Sequence, residues 1–199
     1  RIEGMRDYIQ AIADQLINEW IDDGEVDLLN RLCVPLPIYV IADQLGVPRS
    51  ELASLKKWSD ASTSRLGRLA DEEQQIQNAK DIVEFQHYFA DLIDRMRDNP
   101  EDNIISDLAN NTIDEGRLLT KPEALGMIQQ ILVAGNETST NAIAGGVVLL
   151  IENPEEQTKL RANPDLIPTA VEEILRLETP TSGMWRRVTQ DTEIGGVAI

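Results

Sequence analysis

Apolar positions recur at spacings of three and four through most of the chain, which predicts helices. Ile9, Ile12, Ala13, Leu16 and Trp20 share one face of a helix over residues 3 to 22. A second helix is predicted from about Val26 to Leu45, bent or interrupted by Pro35 and Pro37 and closed by Gly46-Val47-Pro48. Ser50 is placed to cap a third that reaches about Arg65. A longer one is expected from about Asp71 to Arg97, before Asn99-Pro100.

The strongest signal follows Thr120-Lys121-Pro122-Glu123, a capping box with proline in the first turn. It opens a run over residues 121–152 that spans about 48 Å at 1.5 Å per residue, enough to cross a domain. Leu125, Ile128, Ile131, Leu132, Val133, Ile143, Val147, Leu150 and Ile151 wrap more than one face of it, so neighbours should surround it. Pro154 stops the run. A short helix over about Glu155 to Ala162 and a stronger one over about residues 166–178 come next. Only "RRVTQDTEIGGVAI" changes character, with Gly195-Gly196 as a two-residue hairpin turn. The expected fold class is therefore mainly α, one domain over residues 1–199, with the start of a small β-sheet over about residues 183–199.

Charge and composition narrow the function. Eighteen basic against thirty-five acidic residues give a net charge of −17, which disfavours nucleic acid and anionic lipid as partners. The amphipathic start resembles neither a signal peptide nor an anchor, and polar residues interrupt the longest apolar stretch, so no membrane span is expected. One cysteine, Cys33, permits no internal disulfide and fits a reducing, cytoplasmic setting. Its apolar neighbours suggest a packed, unreactive thiol. One histidine, His87, is too few for a helical di-iron bundle or a histidine-rich zinc site.

Candidate chemistry centres on "ILVAGNETST", residues 131 to 140. Glycine inside a helix costs roughly 1 kcal/mol against alanine, and a buried carboxylate costs more, so something local should offset both. Ala134 and Gly135 leave room for a flat ligand against the helix backbone. Thr138 can bond back to the carbonyl of residue 134, and Glu137 with Thr138 can relay protons. A small-residue helix crossing with a polar patch facing a buried water fits the same letters. Further on, Glu173 and Arg176 are three apart and can pair on one helix face, a spacing that most often marks a solvated surface. The link "TPTSGMWRRV" has the irregular composition of pocket-lining loops.

Taken in order, these motifs resemble the cytochromes P450, the haem-thiolate monooxygenases, particularly soluble bacterial members. "LVAGNETST" is similar to the family's central-helix pattern Ala/Gly-Gly-x-Asp/Glu-Thr-Thr/Ser, and "NPEEQTKLRANPDLIPTAVEEILRLETP" to the two helices after it, the second carrying Glu-x-x-Arg. "WRRVTQDTEIGGVAI" looks like the strand entry, and "DLLNRLCVPLPIYVIADQLGVP" like an early helical segment. The resemblance implies haem b (iron protoporphyrin IX) as cofactor and O2 as co-substrate. NAD(P)H electrons would arrive through a ferredoxin and ferredoxin reductase or a flavoprotein, and a small organic substrate would be oxidised. Ala134 and Gly135 would lie on the distal face of haem, with Glu137 and Thr138 delivering protons. Arg186 would bind a haem propionate, and Glu173 with Arg176 would form a buried structural ion pair. Gln130, Val133, Thr181, Ser182, Gly183, Met184 and Trp185 would border the substrate pocket.

The departures are equally specific. The family's axial cysteine, in a Phe-x-x-Gly-x-x-x-Cys loop that supplies the thiolate to iron, is expected beyond Ile199, and Cys33 precedes the central helix and cannot replace it. The earlier Trp-x-x-x-Arg helix does not occur either. The chain thus reads as an internal fragment that would bind haem poorly alone. The competing readings are a helical binding or scaffold protein that keeps the fold without redox chemistry, and a different helical enzyme using Glu137 as a simple acid.

Overall fold

A computed structural model of the chain describes residues 3–67, 70–113, 116–183 and 186–199. In order, α1 covers Arg6–Asn18, α2 Pro35–Leu45, α3 Leu52–Gly67, α4 Glu72–Asp98 and α5 Ile104–Asn110. Helices α6 (Lys121–Glu152), α7 (Pro154–Ala162) and α8 (Ile167–Leu177) follow, and β1 (Glu193–Ile194) pairs antiparallel with β2 (Val197–Ala198). The mainly helical architecture with a small two-stranded sheet is the expected one.

Local chemistry explains most boundaries. Asp71 accepts the backbone N–H of Gln74 and so caps α4. Thr120 and Glu123 form the expected capping box at α6, with Glu123 N–H donating to Thr120 Oγ1 at 3.4 Å and Thr120 N–H donating to Glu123 Oε2 at 2.8 Å. Arg117 adds a bidentate pair to the Glu123 carboxylate, both bonds 2.8 Å. Gly46 ends α2 with a φ of 70°, a left-handed conformation that suits glycine. Gly195 and Gly196, at φ 60° and 82°, make the hairpin turn.

Four expectations change. α1 stops at Asn18, so Trp20 lies in the turn beyond it. Between α1 and α2 the chain makes a wide five-residue-ring turn, Leu29–Cys33, and Pro35 becomes the first residue of α2 and does not bend it. Ser50 lies in a short 3₁₀ turn, Arg49–Glu51, with no side-chain cap onto α3. α5 was not legible as a helix: it is seven residues long and is held by Asn103, whose side chain accepts the Ser106 N–H at 2.8 Å.

The core lies on one side of α6. Trp58 from α3 meets Phe85 and Phe89 from α4 with ring centroids 6.0 and 5.8 Å away. Leu45, Leu55, Ile93 and Ile105 join them, and α6 contributes Ala124, Ile128 and Leu132, each at 0% exposure. Aromatic groups of this kind bury a large apolar area in few residues. Beyond Thr140, α6 leaves this core. There Gly146 admits α8: a Cβ at this position would lie 3.0 Å from Ile174 Cγ2. No helix among the described residues is long and apolar enough to cross a membrane.

Candidate active site

α6 is unbroken for 32 residues, so its faces follow from 3.6 residues per turn. Ala124, Ile128, Leu132, Asn136 and Thr140 are buried. Roughly opposite them, Met127, Gln130, Ala134 and Asn141 form an exposed stripe, with Glu137 and Thr138 half-buried along it. The stripe holds the smallest side chain at its centre, Ala134. The Thr138 hydroxyl donates to the Ala134 carbonyl, the expected bond four residues back. That hydroxyl therefore lies against the helix beside Ala134.

Asn141 Nδ2 donates to the carbonyl oxygen of Pro180 at 3.4 Å. This bond brings the start of the link after α8 to the same stripe, so Thr181, Ser182 and Gly183 leave from beside it. Met184 and Trp185 lie outside the described residues. Arg186 is exposed on the segment leading to β1. Val133 is half-buried at the edge of the stripe.

At two of the candidate positions the structure shows contacts that the sequence did not. A Cβ at Gly135 would sit 3.0 Å from Ile41 Cδ1, so its missing side chain makes room for α2 at a helix crossing, leaving Ala134 alone to face the stripe. The helix crossing at this segment is thus present on the Gly135 side, while Ala134 is exposed on another face of the same turn. Glu173 and Arg176 do pair, with two bonds of 2.7 Å, and the guanidinium holds the Glu173 carboxyl below its ordinary value. The expected burial is not found, since their side chains are 55% and 64% exposed. α8 packs on α6 through Ile174, while the Glu173–Arg176 pair stays at the surface.

Cys33 is at 0% exposure, and burial pushes its thiol up, as expected for a packed core thiol. It lies under the buried side of α6, behind the stripe, and His87 is exposed on α4. Among the described residues no group of three or more metal-ligating side chains comes together. Two depressions elsewhere do not touch the stripe. One of about 480 Å³ runs between α6, α7 and α8, and one of about 630 Å³ lies at the start of α4.

Sequence reasoning passed over three residues. Asn136, at the x of the central-helix pattern, is 1% exposed and donates from Nδ2 to Ser59 Oγ at 3.0 Å. Thr140 is 8% exposed and donates to the Cys33 carbonyl at 3.0 Å. Asn141 holds the α8 link. For Asn136 and Thr140 the available signal was polarity at positions continuing the buried series Ala124, Ile128, Leu132; Asn141 lies on the exposed stripe and gave none.

The cytochrome P450 family model matches residues 63–199. The chain belongs to the cytochrome P450 family. It is 36% identical over its whole length to the cytochrome P450 monooxygenase PikC of Streptomyces venezuelae, covering 47% of that protein. It is 35% identical to the 6-deoxyerythronolide B hydroxylase of Saccharopolyspora erythraea, covering 48%. The structure of P450BioI in complex with hexadec-9Z-enoic acid ligated acyl carrier protein superposes with a TM-score of 0.90 at 32% identity, over 99% of this chain and 50% of that one. The chain thus spans about half the length of the P450 relatives it matches.

The residues of this stripe fit one wall of a haem site at most and do not make a complete one. Ala134 is exposed and small, between Gln130 and Thr138, so a flat group could approach the helix there. The donor set for iron is different: the described residues hold no accessible thiolate, because Cys33 is packed on the opposite side of α6.

Proposed function

We propose that this chain forms the oxygen-side half of a bacterial-type haem monooxygenase, which inserts one atom of O2 into a small organic substrate and reduces the other to water. The net reaction, substrate R–H with O2, NAD(P)H and a proton giving R–OH, water and NAD(P)+, balances with two electrons from the nicotinamide. A ferredoxin with its reductase, or a flavoprotein, would pass them on. What supports the reading is the exposed Ala134 beside the half-buried Glu137 and Thr138 at the centre of the longest helix, in a chain similar to proteins named as P450 monooxygenases and hydroxylases.

Bound haem would supply the dioxygen-activating iron, for which the described residues offer no accessible thiolate. This chain's residues do the rest on their side. Ala134 gives the flat ligand its approach, and Arg186 offers a planar fork to a propionate. Glu137 carries the exchangeable proton, and Thr138 Oγ1 positions it at the stripe, as an acid and an alcohol together can. Gln130, Val133 and the link Thr181–Gly183 border the substrate.

The full-length protein, reconstituted with haem, reduced and exposed to carbon monoxide, tests this reading. A red-shifted Soret band of a thiolate-ligated iron is the expected result. A stable folded protein that takes up no haem would favour a helical binding or scaffold role and would overturn it.

A further inference from the structure

α6 is apolar over more than one face, so apolar packing alone defines its rotation about its own axis weakly. Directional bonds define it well. Two polar side chains sit on its buried side, Asn136 at 1% and Thr140 at 8% exposure, where an unbonded amide or hydroxyl is destabilising. Each meets a different element. Asn136 Nδ2 donates to Ser59 Oγ of α3, itself fully buried, at 3.0 Å. Thr140 Oγ1 donates to the Cys33 carbonyl at 3.0 Å.

The second bond has a cause in the sequence. At four-residue helical spacing the Cys33 carbonyl would receive the N–H of residue 37, and Pro37 has none. The Thr140 hydroxyl supplies the missing donor from another helix. The first bond leaves Asn136 Oδ1 buried without a partner, so this amide is retained at some expense in stability.

Residues two apart on a helix point about 160° from each other. Asn136 is two from both Ala134 and Thr138, and Thr140 is two from Thr138, so both bonds pull from directly behind the uncovered turn. Gly135 adds the close crossing with Ile41 beside it. We propose that Asn136 and Thr140 are positioning residues that fix the rotation of α6, aiming Ala134 and Thr138 into the stripe. The effect on turnover rests on the proposed function; the effect on the helix does not.

The test uses full-length haem enzyme bearing Asn136→Leu, Thr140→Val or Thr138→Ala, with Asn136→Leu/Ser59→Ala as the variant that leaves no orphaned hydroxyl should the single change fail to fold. Two readouts are taken well below melting: amide hydrogen exchange along α6, and product formed per NAD(P)H consumed. In the Asn136 and Thr140 variants, exchange over residues 134–141 should rise on the order of five-fold relative to the rest of α6, the factor equivalent to one hydrogen bond's net worth. The product ratio should fall about two-fold or more, because small displacements of reacting groups are costly, while the carbon monoxide band stays in place. Unchanged exchange at 134–141 overturns the proposal. So does faster exchange with an unchanged ratio, where Thr138→Ala lowers that ratio. If Thr138→Ala leaves the ratio intact, the proton-delivery reading fails instead, and the positioning role is decided by exchange alone.

Discussion

Asn141 Nδ2 donates to the Pro180 carbonyl oxygen at 3.4 Å, across 39 residues of sequence. It ties the link after α8 to the stripe that carries Ala134 and Thr138, and so sets where Thr181 to Gly183 depart. One exposed hydrogen bond has a net worth of about 0.5 to 1.5 kcal/mol. In the full-length enzyme Asn141→Ala should weaken substrate binding roughly two- to ten-fold, read by titrating the substrate-induced Soret shift, with melting temperature nearly unchanged.

Gly46 joins two requirements at one position. Its φ of 70° costs a side chain roughly 1 to 2 kcal/mol, and a Cβ there would lie 2.4 Å from Asn103 Nδ2. Asn103 caps α5, so moving it also loosens that helix. Gly46→Ala should therefore destabilise by about 2 kcal/mol or more, measured by denaturant unfolding, with faster amide exchange in α5 as its specific mark.

Glu123 gives the fold an acid-sensitive clasp at the start of α6. Arg117, then the Thr120 backbone and hydroxyl, hold its carboxyl down at about 2, against an ordinary value of 4.5. A carboxyl lowered on folding stabilises the fold fully above its unfolded value and loses that effect as pH falls through the folded one. The melting-temperature deficit of Glu123→Gln should thus be largest near neutral pH and shrink between about pH 4.5 and 2. Thr120→Ala, which removes the cap itself, should cost about 1 kcal/mol at neutral pH.

The sequence carried the long helices well because each repeats its apolar face over several turns, and α6 announces its start by Thr120 and Glu123. It carried α5 poorly, since "IISDLAN" is too short to show a period and is held by a cap, Asn103, and by packing. The notch was legible as a composition, small residues beside an acid and hydroxyls, but its division was not. Gly135 is small because Ile41, 94 positions earlier, lies against it, and Asn136 is polar because Ser59 faces it. Such partners come together only through the fold. The same holds for Glu173 and Arg176: a spacing of three predicts that they pair, while burial depends on what packs over them.

The central claim is that the turn from Ala134 to Thr138 is the oxygen-side, proton-delivering wall of a haem pocket. Its most direct test is the amount of product formed per NAD(P)H consumed by full-length Thr138→Ala, compared with the unaltered enzyme at equal haem content. The account predicts that NAD(P)H consumption continues while product falls several-fold, the electrons leaving as peroxide or water. An unchanged ratio would contradict it.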